Sequence, residues 1–597
     1  MTNLSENDSI TKVDGTGKRQ ESPTSYWGSD GIADLLKTFE IPYLCINPGS
    51  SFRGLHDSIV NHTGNVSPEL VLCLHEEHAV AIAHGYAKVT NSPLAVVLHS
   101  NVGLMHASMA IYNAWCDRVP VLILGAQGPL DAAKRRPWID WIHTSQDVGA
   151  LVRPFVKWDN QPISVEASYE AILRAFQITR TPPCAPVYIC LDVTAQETKL
   201  SVPPALPDVA RYAPPAPPYP NSDVVHDAVD VLESASKLVI LVGRVSRDAN
   251  EWAQRVELAE RLGATVLTDL KTGASFPTDH PQHPFPPAFF VNGPASDELK
   301  RADAILALDW VDLGGTLKSV WQPSPVTAKV ISVSLDHTLQ NGWSFDHQAL
   351  SPADIAIASD PGLAVSEILL KLRRDRRAAE RQNPPARSAE ESKEEEPTIS
   401  MSALAAALRE VTNGTDVTLT RLPLGWSGEL WDFRGPLDYL GYDGGAGIGS
   451  GPGMAVGAAL ALRESGRLPV AIIGDGDFMM GNSALWTAAQ LDVPLLLIVA
   501  NNQSFYNDEV HQERVALDRG RLVENKWIGQ RIDEPAIDLA AIARAQGFIS
   551  AGPIIDRHAL VDTIRQAVND VKEGRQVLLD VRVVPGYAPS MSRGMTE

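Results

Sequence analysis

No apolar run in this 597-residue chain comes near the roughly 20 residues that cross a bilayer. The longest are short stretches such as PLLLIVA, Pro494–Ala500. Positive charge is also scarce. Lys and Arg number 51 against 72 Asp and Glu, a formal net charge of −21, which argues against a nucleic-acid or anionic-membrane surface. Cysteine is sparse and odd in number (Cys45, Cys73, Cys116, Cys184, Cys190), and no CxxC pair occurs. Buried free thiols in a reducing cytoplasm are therefore expected rather than disulfides or a zinc site. The first 25 residues mix acidic and basic groups and contain no h-region, so they read as a flexible tail rather than a secretory or transit signal.

The chain is too long for one core. Two seams divide it: a Pro-rich crossing at 201–221 and a charge-rich linker at 373–400. The blocks 26–200, 222–372 and 401–597 each alternate short apolar runs with helical stretches. PLAVVLHS, KLVILVGR and VPLLLIVANN read as buried strands, and HEEHAVAIAHGYAK, EWAQRVELAERLG and NSALWTAAQL as helices. That alternation predicts an α/β chain of three parallel-sheet, Rossmann-like domains. In such sheets ligands gather at the carboxyl ends of strands.

Two strand ends have unusual chemistry. Asp475 follows AIIG within Gly474-Asp475-Gly476, and Asn502 follows LLLIVAN 27 residues later, about one helix and one strand away. A carboxylate and an amide oxygen make hard ligands for Mg²⁺ or Ca²⁺, and Mg²⁺ commonly completes its shell with phosphate oxygens and water. Gly474 and Gly476 allow close backbone approach, and a helix expected to begin near Asn482 would offset phosphate charge. Either half alone also fits a plain Gly-Asp-Gly turn or an Asn-capped loop. The upstream GGAGIGSGPGMAVG is not a dinucleotide fingerprint, because Pro452 and Met454 stand where the third glycine of GxGxxG is required. Nor is HEEHA a zinc-protease motif, since Ala79 replaces its second histidine.

The run from Gly-Asp-Gly to Asn-Asn resembles the diphosphate-binding motif of thiamine-diphosphate-dependent enzymes, the superfamily of acetohydroxyacid synthase, pyruvate oxidase and benzoylformate decarboxylase. The resemblance implies pyrimidine-binding, middle and diphosphate-binding domains, with thiamine diphosphate and Mg²⁺ as cofactors. Asp475, Asn502 and the backbone carbonyl of Ser504 would ligate the ion. Ile448, within GIGSGPGMAVG, would prop the bent cofactor. Glu76, before GYA, would activate the pyrimidine, although a helix N-terminal glutamate such as Glu77 can also serve only the dipole. Gln127 in LILGAQGP is a further cofactor-side candidate.

Several motifs point toward benzoylformate decarboxylase: INPGSS, LHSNVG with matching spacing from Glu76 to His99, NAW at Asn113–Trp115, FPTDHP at Phe276–Pro281 and SALWTAAQ at Ser483–Gln490. By that likeness Ser50 would bind the substrate carboxylate and His99 would move protons. The reaction expected is decarboxylation of a 2-oxo acid through a ylid and an enamine. The alternative is non-decarboxylating C–C cleavage or ligation of a 2-hydroxyacyl thioester, acyloin or 1,2-diketone, or an acetolactate-synthase-like carboligation. A non-catalytic cofactor-binding subunit is disfavoured, because a binder does not need Glu76.

The departures are specific. RLPLGWSG, Arg421–Gly428, replaces a Ser/Thr-rich phosphate loop, and only His337 and His347 offer a second histidine from the middle block. QSFYNDEVHQER is more polar than the decarboxylase pattern, which makes Tyr506 and Glu509 candidate catalytic residues, with His511 beside them. In members of the superfamily the middle block binds FAD, or ADP and CoA, but VGRVSRDANEW carries no signature for any of them, and FAD is disfavoured. VPGYAPSMSRGMTE at the C-terminus reads as a lid or a tail. A homodimer or homotetramer is implied, with a small-molecule substrate and no nucleic-acid or membrane partner.

Overall fold

The computed structural model describes residues 25–339, 349–373, 375 and 398–586. The N-terminal tail up to residue 24, most of the charged linker, His347 and the C-terminal segment beyond residue 586 lie outside the described residues. The remainder forms three parallel sheets. The first has six strands, in the order Glu69–Leu72, Tyr43–Ile46, Ala95–His99, Leu122–Gln127, Val187–Asp192 and Trp158–Asn160. The middle sheet runs Thr265–Thr268, Leu238–Val242, Ala304–Leu308, Lys329–Val333 and Ile355–Ile357. The third runs Val417–Arg421, Leu468–Gly474, Leu495–Asn501, Gln576–Arg582 and Ile549–Ile554. Every pairing within these sheets is parallel. A short antiparallel pair, Tyr26–Trp27 with Lys199–Leu200, ties the ends of the first block together.

The strands are continuous apolar runs because helices cover both faces of each sheet. Leu495–Asn501, for example, is buried at every residue. The helix Gly451–Leu462 has no polar face, and eleven of its twelve residues are buried. It lies against Glu76–Thr90, whose His75 cap accepts a hydrogen bond from the Glu77 N–H and whose end turns left-handed at Asn91. Glycine makes that crossing possible. A Cβ on Gly457 would fall 1.9 Å from the Ile82 carbonyl oxygen, and one on Gly85 would fall 2.0 Å from that of Met454. One apolar core consequently runs through both outer domains, joining Ala79–Ala83 to Met454–Val456, Phe478 and Leu485.

Charged residues hold the middle domain to this pair. Arg118 of the first domain bonds Asp336, which also pairs with Arg244. Arg247 donates to the carbonyls of Lys88, Pro436, Tyr439 and Leu440, touching both outer domains. A cavity of about 520 Å³ lies at this junction, lined by Lys88, Asp117, Arg118, Arg244 and Asp309. At the strand ends that face it, Arg244 is already engaged by Asp309 and Asp336. Among the described residues, no helix is long and apolar enough to cross a membrane.

The helix crossing makes a direct prediction. Gly457→Val should destabilise the protein by about 3 kcal/mol or more, because neither backbone can recede without opening the shared core. Chemical denaturation would register this as a lowered midpoint; an unchanged midpoint would contradict it.

Candidate active site

In the third domain the strand Leu468–Gly474 ends against empty space, since a Cβ on Gly474 would meet no atom within 4 Å. The helix starts at once with Asp475 and runs to Gly481, and a second begins at Ala484. The helix expected near Asn482 is the second of these, two residues on; the sequence reading did not foresee the first, whose opening turn holds Asp475. Gly476 cannot carry a side chain because the Phe505 ring fills that place, 2.6 Å from a Cβ.

Asp475 is 2% exposed, and its Oδ2 is buried without a hydrogen-bond partner. Burial pushes its carboxyl up to about 6, although the amides of Gly476, Gln503 and Ser504 pull it down. The two asparagines have different surroundings. Asn501 turns into the sheet, donating to Asp580 and accepting from the Gln503 N–H. Asn502 accepts from the Ser504 N–H at 3.0 Å, around a left-handed Gln503 (φ 60°). The backbone bridge of Ser504 with Arg531 is made through the Gln503 carbonyl and the Phe505 N–H, so the Ser504 carbonyl lies outside the pairing. A buried carboxylate oxygen without a partner, beside an amide and a carbonyl, is a donor set that fits a hard divalent cation.

Glu509 and Tyr506 lie on the helix Tyr506–Asp518, as the polar pattern suggested. Glu509 is buried. Its Oε1 accepts from Ser504 Oγ and pairs with Arg531 at 3.2 Å, so it braces the turn that carries Asn502. Tyr506 is half-buried and His511 exposed. A cavity of about 410 Å³ adjoins this turn, lined by Asn502, Ser504, Glu509, Arg531 and Arg582.

The sequence reading missed the charges beneath the glycine-rich loop. Arg421 is the last residue of its strand and is 1% exposed; it pairs with Asp443 at 2.9 Å and Asp477 at 3.3 Å, and lies 3.5 Å over the Tyr442 ring. Burial pushes Asp443 up to about 7 against the pull of Arg421. The other oxygen of Asp477 accepts the N–H groups of Gly449 and Gly451. An internal carboxylate thus occupies the start of the helix Gly451–Leu462, where an anion would otherwise bind. The only sequence signal was the second aspartate of GDGD. Ile448, on the same loop, is half-buried.

In the first domain Glu76 opens its helix and is 7% exposed. Its neighbours belong to that domain: Gly103, whose added Cβ would lie 3.2 Å from Glu76 Oε1, and His106, whose Nδ1 is 2.9 Å from Oε2. Glu77 faces the opposite way, toward Gly449 and Asp477 of the third domain.

His99 ends its strand with Nδ1 2.8 Å from Ser51 Oγ, not Ser50. The Ser51 N–H also points at Nδ1, at 3.5 Å, so Nδ1 accepts and the ring proton sits on Nε2. Ser50 is exposed at the rim of a small cavity lined by His99, Arg136, Asp140 and His143. Burial, and then His143 with its ring 4.9 Å away, lower the proton affinity of His99. The sequence reading proposed no partner for His99, and no spacing rule pointed to Ser51 or His143. Gln127 is fully buried, accepting from the Ser145 N–H. His337 lies in a short turn of the middle domain.

The isolated carboxylate makes a prediction with a definite sign. A carboxyl whose proton affinity is raised by folding costs stability as the pH rises from the ordinary carboxylate range to about 6, and the cost is complete above that. At pH 7.5 Asp475→Asn should therefore stabilise the cofactor-free protein by on the order of 1–2 kcal/mol. It should also abolish the rise in melting temperature given by Mg²⁺ with thiamine diphosphate. A thermal shift retained in the variant would remove Asp475 from the ion.

Comparison with known proteins agrees with this arrangement. Residues 26–149 match the family described as thiamine pyrophosphate enzyme, N-terminal TPP binding domain; residues 225–368 match its central domain and 423–581 its C-terminal TPP binding domain. Benzoylformate decarboxylase of Pseudomonas aeruginosa is 27% identical over 527 residues, covering 86% of this chain and 91% of that protein. The acetolactate synthase isozyme 3 large subunit of Escherichia coli is 24% identical over 560 residues, covering 90% and 91%. The solved thiamine diphosphate-dependent 4-hydroxybenzoylformate decarboxylase of Rhodococcus jostii shares the fold at a TM-score of 0.75 and 22% identity, over 94% of this chain and all of that one. Benzoylformate decarboxylase from Polynucleobacter necessarius does so at 0.76 and 21%, over 94% and 99%. With successive blocks matching the three domains of one family in order, the chain belongs to the thiamine pyrophosphate-dependent enzymes, among the decarboxylases and acetolactate synthases.

Proposed function

We propose that the chain is a Mg²⁺- and thiamine-diphosphate-dependent 2-oxo acid decarboxylase of the benzoylformate decarboxylase type. The observation that carries this reading is His99, fixed through Nδ1 by Ser51 with its proton on Nε2, beside the exposed hydroxyl of Ser50. A proton carrier next to a group able to receive a carboxylate is what decarboxylation needs. When bound, the cofactor supplies the nucleophilic carbon and the sink for the electrons of the bond that breaks.

The protein's own residues do the rest. Asp475, Asn502 and the Ser504 carbonyl would hold the ion and with it the diphosphate, Gly474 leaves the strand end open, Gly476 makes room for the Phe505 ring beside it, and Ile448 would support the cofactor. Glu76 would hydrogen-bond the pyrimidine ring and so favour its imino form, and Gln127 would lie on the cofactor side of the same domain. Ser50 orients the substrate carboxylate, and His99 Nε2 delivers a proton to the carbon that loses carbon dioxide. Glu509 fixes Ser504, and that commitment leaves the helix Tyr506–Asp518 a weaker basis for the non-decarboxylating reading.

The two half-sites belong to different copies of the chain in this reading. Glu76 faces its own domain, and large apolar side chains stand exposed near both halves: Leu74, Met105 and Trp141 on one, Met480 and Trp527 on the other. A homodimer, or a tetramer of two such dimers, would cover them.

The test is product analysis with thiamine diphosphate, Mg²⁺ and a panel of 2-oxo acids, acyloins and 2-hydroxyacyl thioesters. Carbon dioxide and aldehyde should appear together from a 2-oxo acid, and His99→Ala should lower kcat by about 10²–10⁴-fold. Aldehyde without carbon dioxide, from an acyloin or thioester, would replace the reading with C–C lyase chemistry.

A further inference from the structure

His106 is two turns into the helix Ser100–Asp117, and no family motif of the chain includes it. Its Nδ1 lies 2.9 Å from Glu76 Oε2 while its ring remains 56% exposed. One turn earlier Gly103 clears the space for the rest of the glutamate, with an added Cβ 3.2 Å from both Cγ and Oε1. The other face of the His106 ring environment is set by His75, stacked at 4.9 Å and 21°.

The polar atoms of His75, Glu76 and His106 come within 4.8 Å of one another, a spacing that suits a metal ion. Their hydrogen bonding argues otherwise. His75 Nδ1 accepts the Glu77 N–H, so its lone pair there is taken and its proton sits on Nε2. Neither nitrogen of His75 is left to ligate an ion unless the helix cap breaks. The cluster is better described as a carboxylate gripped by one imidazole, with a second imidazole packed on the first.

We propose that His106 is a positioning residue for Glu76, donating from Nδ1 to Oε2 and so turning Oε1 toward the cofactor pyrimidine. This rests on the reading of Glu76 as the activating carboxylate. A carboxylate at a helix start can rotate about its last bonds, and a charge-assisted hydrogen bond to one oxygen removes that freedom. His75 prevents the His106 ring from swinging away, and Gly103 keeps Glu76 from being displaced. Asparagine can place an amide N–H close to the position of histidine Nδ1, whereas leucine has similar size and no donor.

The experiment uses the holoenzyme and two variants, His106→Asn and His106→Leu. It measures exchange of the C2 proton of bound thiamine diphosphate into deuterated water, which needs no knowledge of the substrate. The leucine variant should exchange about 10–100-fold more slowly, and the asparagine variant should recover most of that loss. Equal rates in both variants, whether wild-type-like or equally slow, would overturn the proposal, because packing alone would then explain the residue. A second arm needs neither cofactor nor a His106 variant. In the cofactor-free protein, Glu76→Gln should shift the ring nitrogen resonances of His106 and leave those of His62, which is paired to Asp34, in place. Unmoved His106 resonances would refute the contact. Failure of the wild-type protein to exchange the C2 proton would instead defeat the reading of Glu76, while the resonance arm still decides the pair.

Discussion

The backbone contact between the helices Glu76–Thr90 and Gly451–Leu462 constrains everything around it. With Gly85 and Gly457 at the crossing, the helices approach until main chain meets main chain, and the residues on that face are committed to the fold. Glu77, His78, Ala81 and Ile82 meet the third domain. Glu76, one residue before Glu77, is turned to the other side, onto the helix Ser100–Asp117. The same crossing brings the glycine-rich loop down to the buried carboxylate of Asp477, which receives two of its amides.

The energetic consequence is a concentration of buried charge where the sheets end. Arg421 is shared by Asp443 and Asp477 almost completely out of water, and Lys88 and His84 hold Asp117 nearby. Asp475 differs in charge pairing: it is as buried as these, but no Lys or Arg among the described residues pairs with it, and burial raises its proton affinity. That uncompensated carboxylate is what supports the proposal of a cation there.

Much of this was legible in the sequence because it was written in local pattern. The three parallel sheets followed from apolar runs alternating with helices; Asp475 and Asn502 stood out at two strand ends and Ser504 came from the family likeness, and their part in holding an ion belongs to the proposal. What escaped depended on contacts far apart in the chain. Nothing local announces that Arg421 will meet Asp443 and Asp477, or that His143 will reach His99. Nor does anything local announce that Ser51 will hold the His99 ring, 48 positions on. His106 escaped for the same reason, since its partner lies 30 positions away. The short helix at Asp475 was missed because the glycines around it read as a turn, and Gly474 precedes it without a side-chain cap.

The central claim is that Glu76 of one chain and Asp475 of another serve one cofactor. It is tested most directly by mixing two inactive variants, Glu76→Gln and Asp475→Asn, and isolating the hybrid dimer. In a closed symmetric dimer with shared sites, one site carries both defects and the other none, so the hybrid should regain about half of the wild-type activity. A hybrid as inactive as its parents would place both residues in a site within one chain and contradict the account.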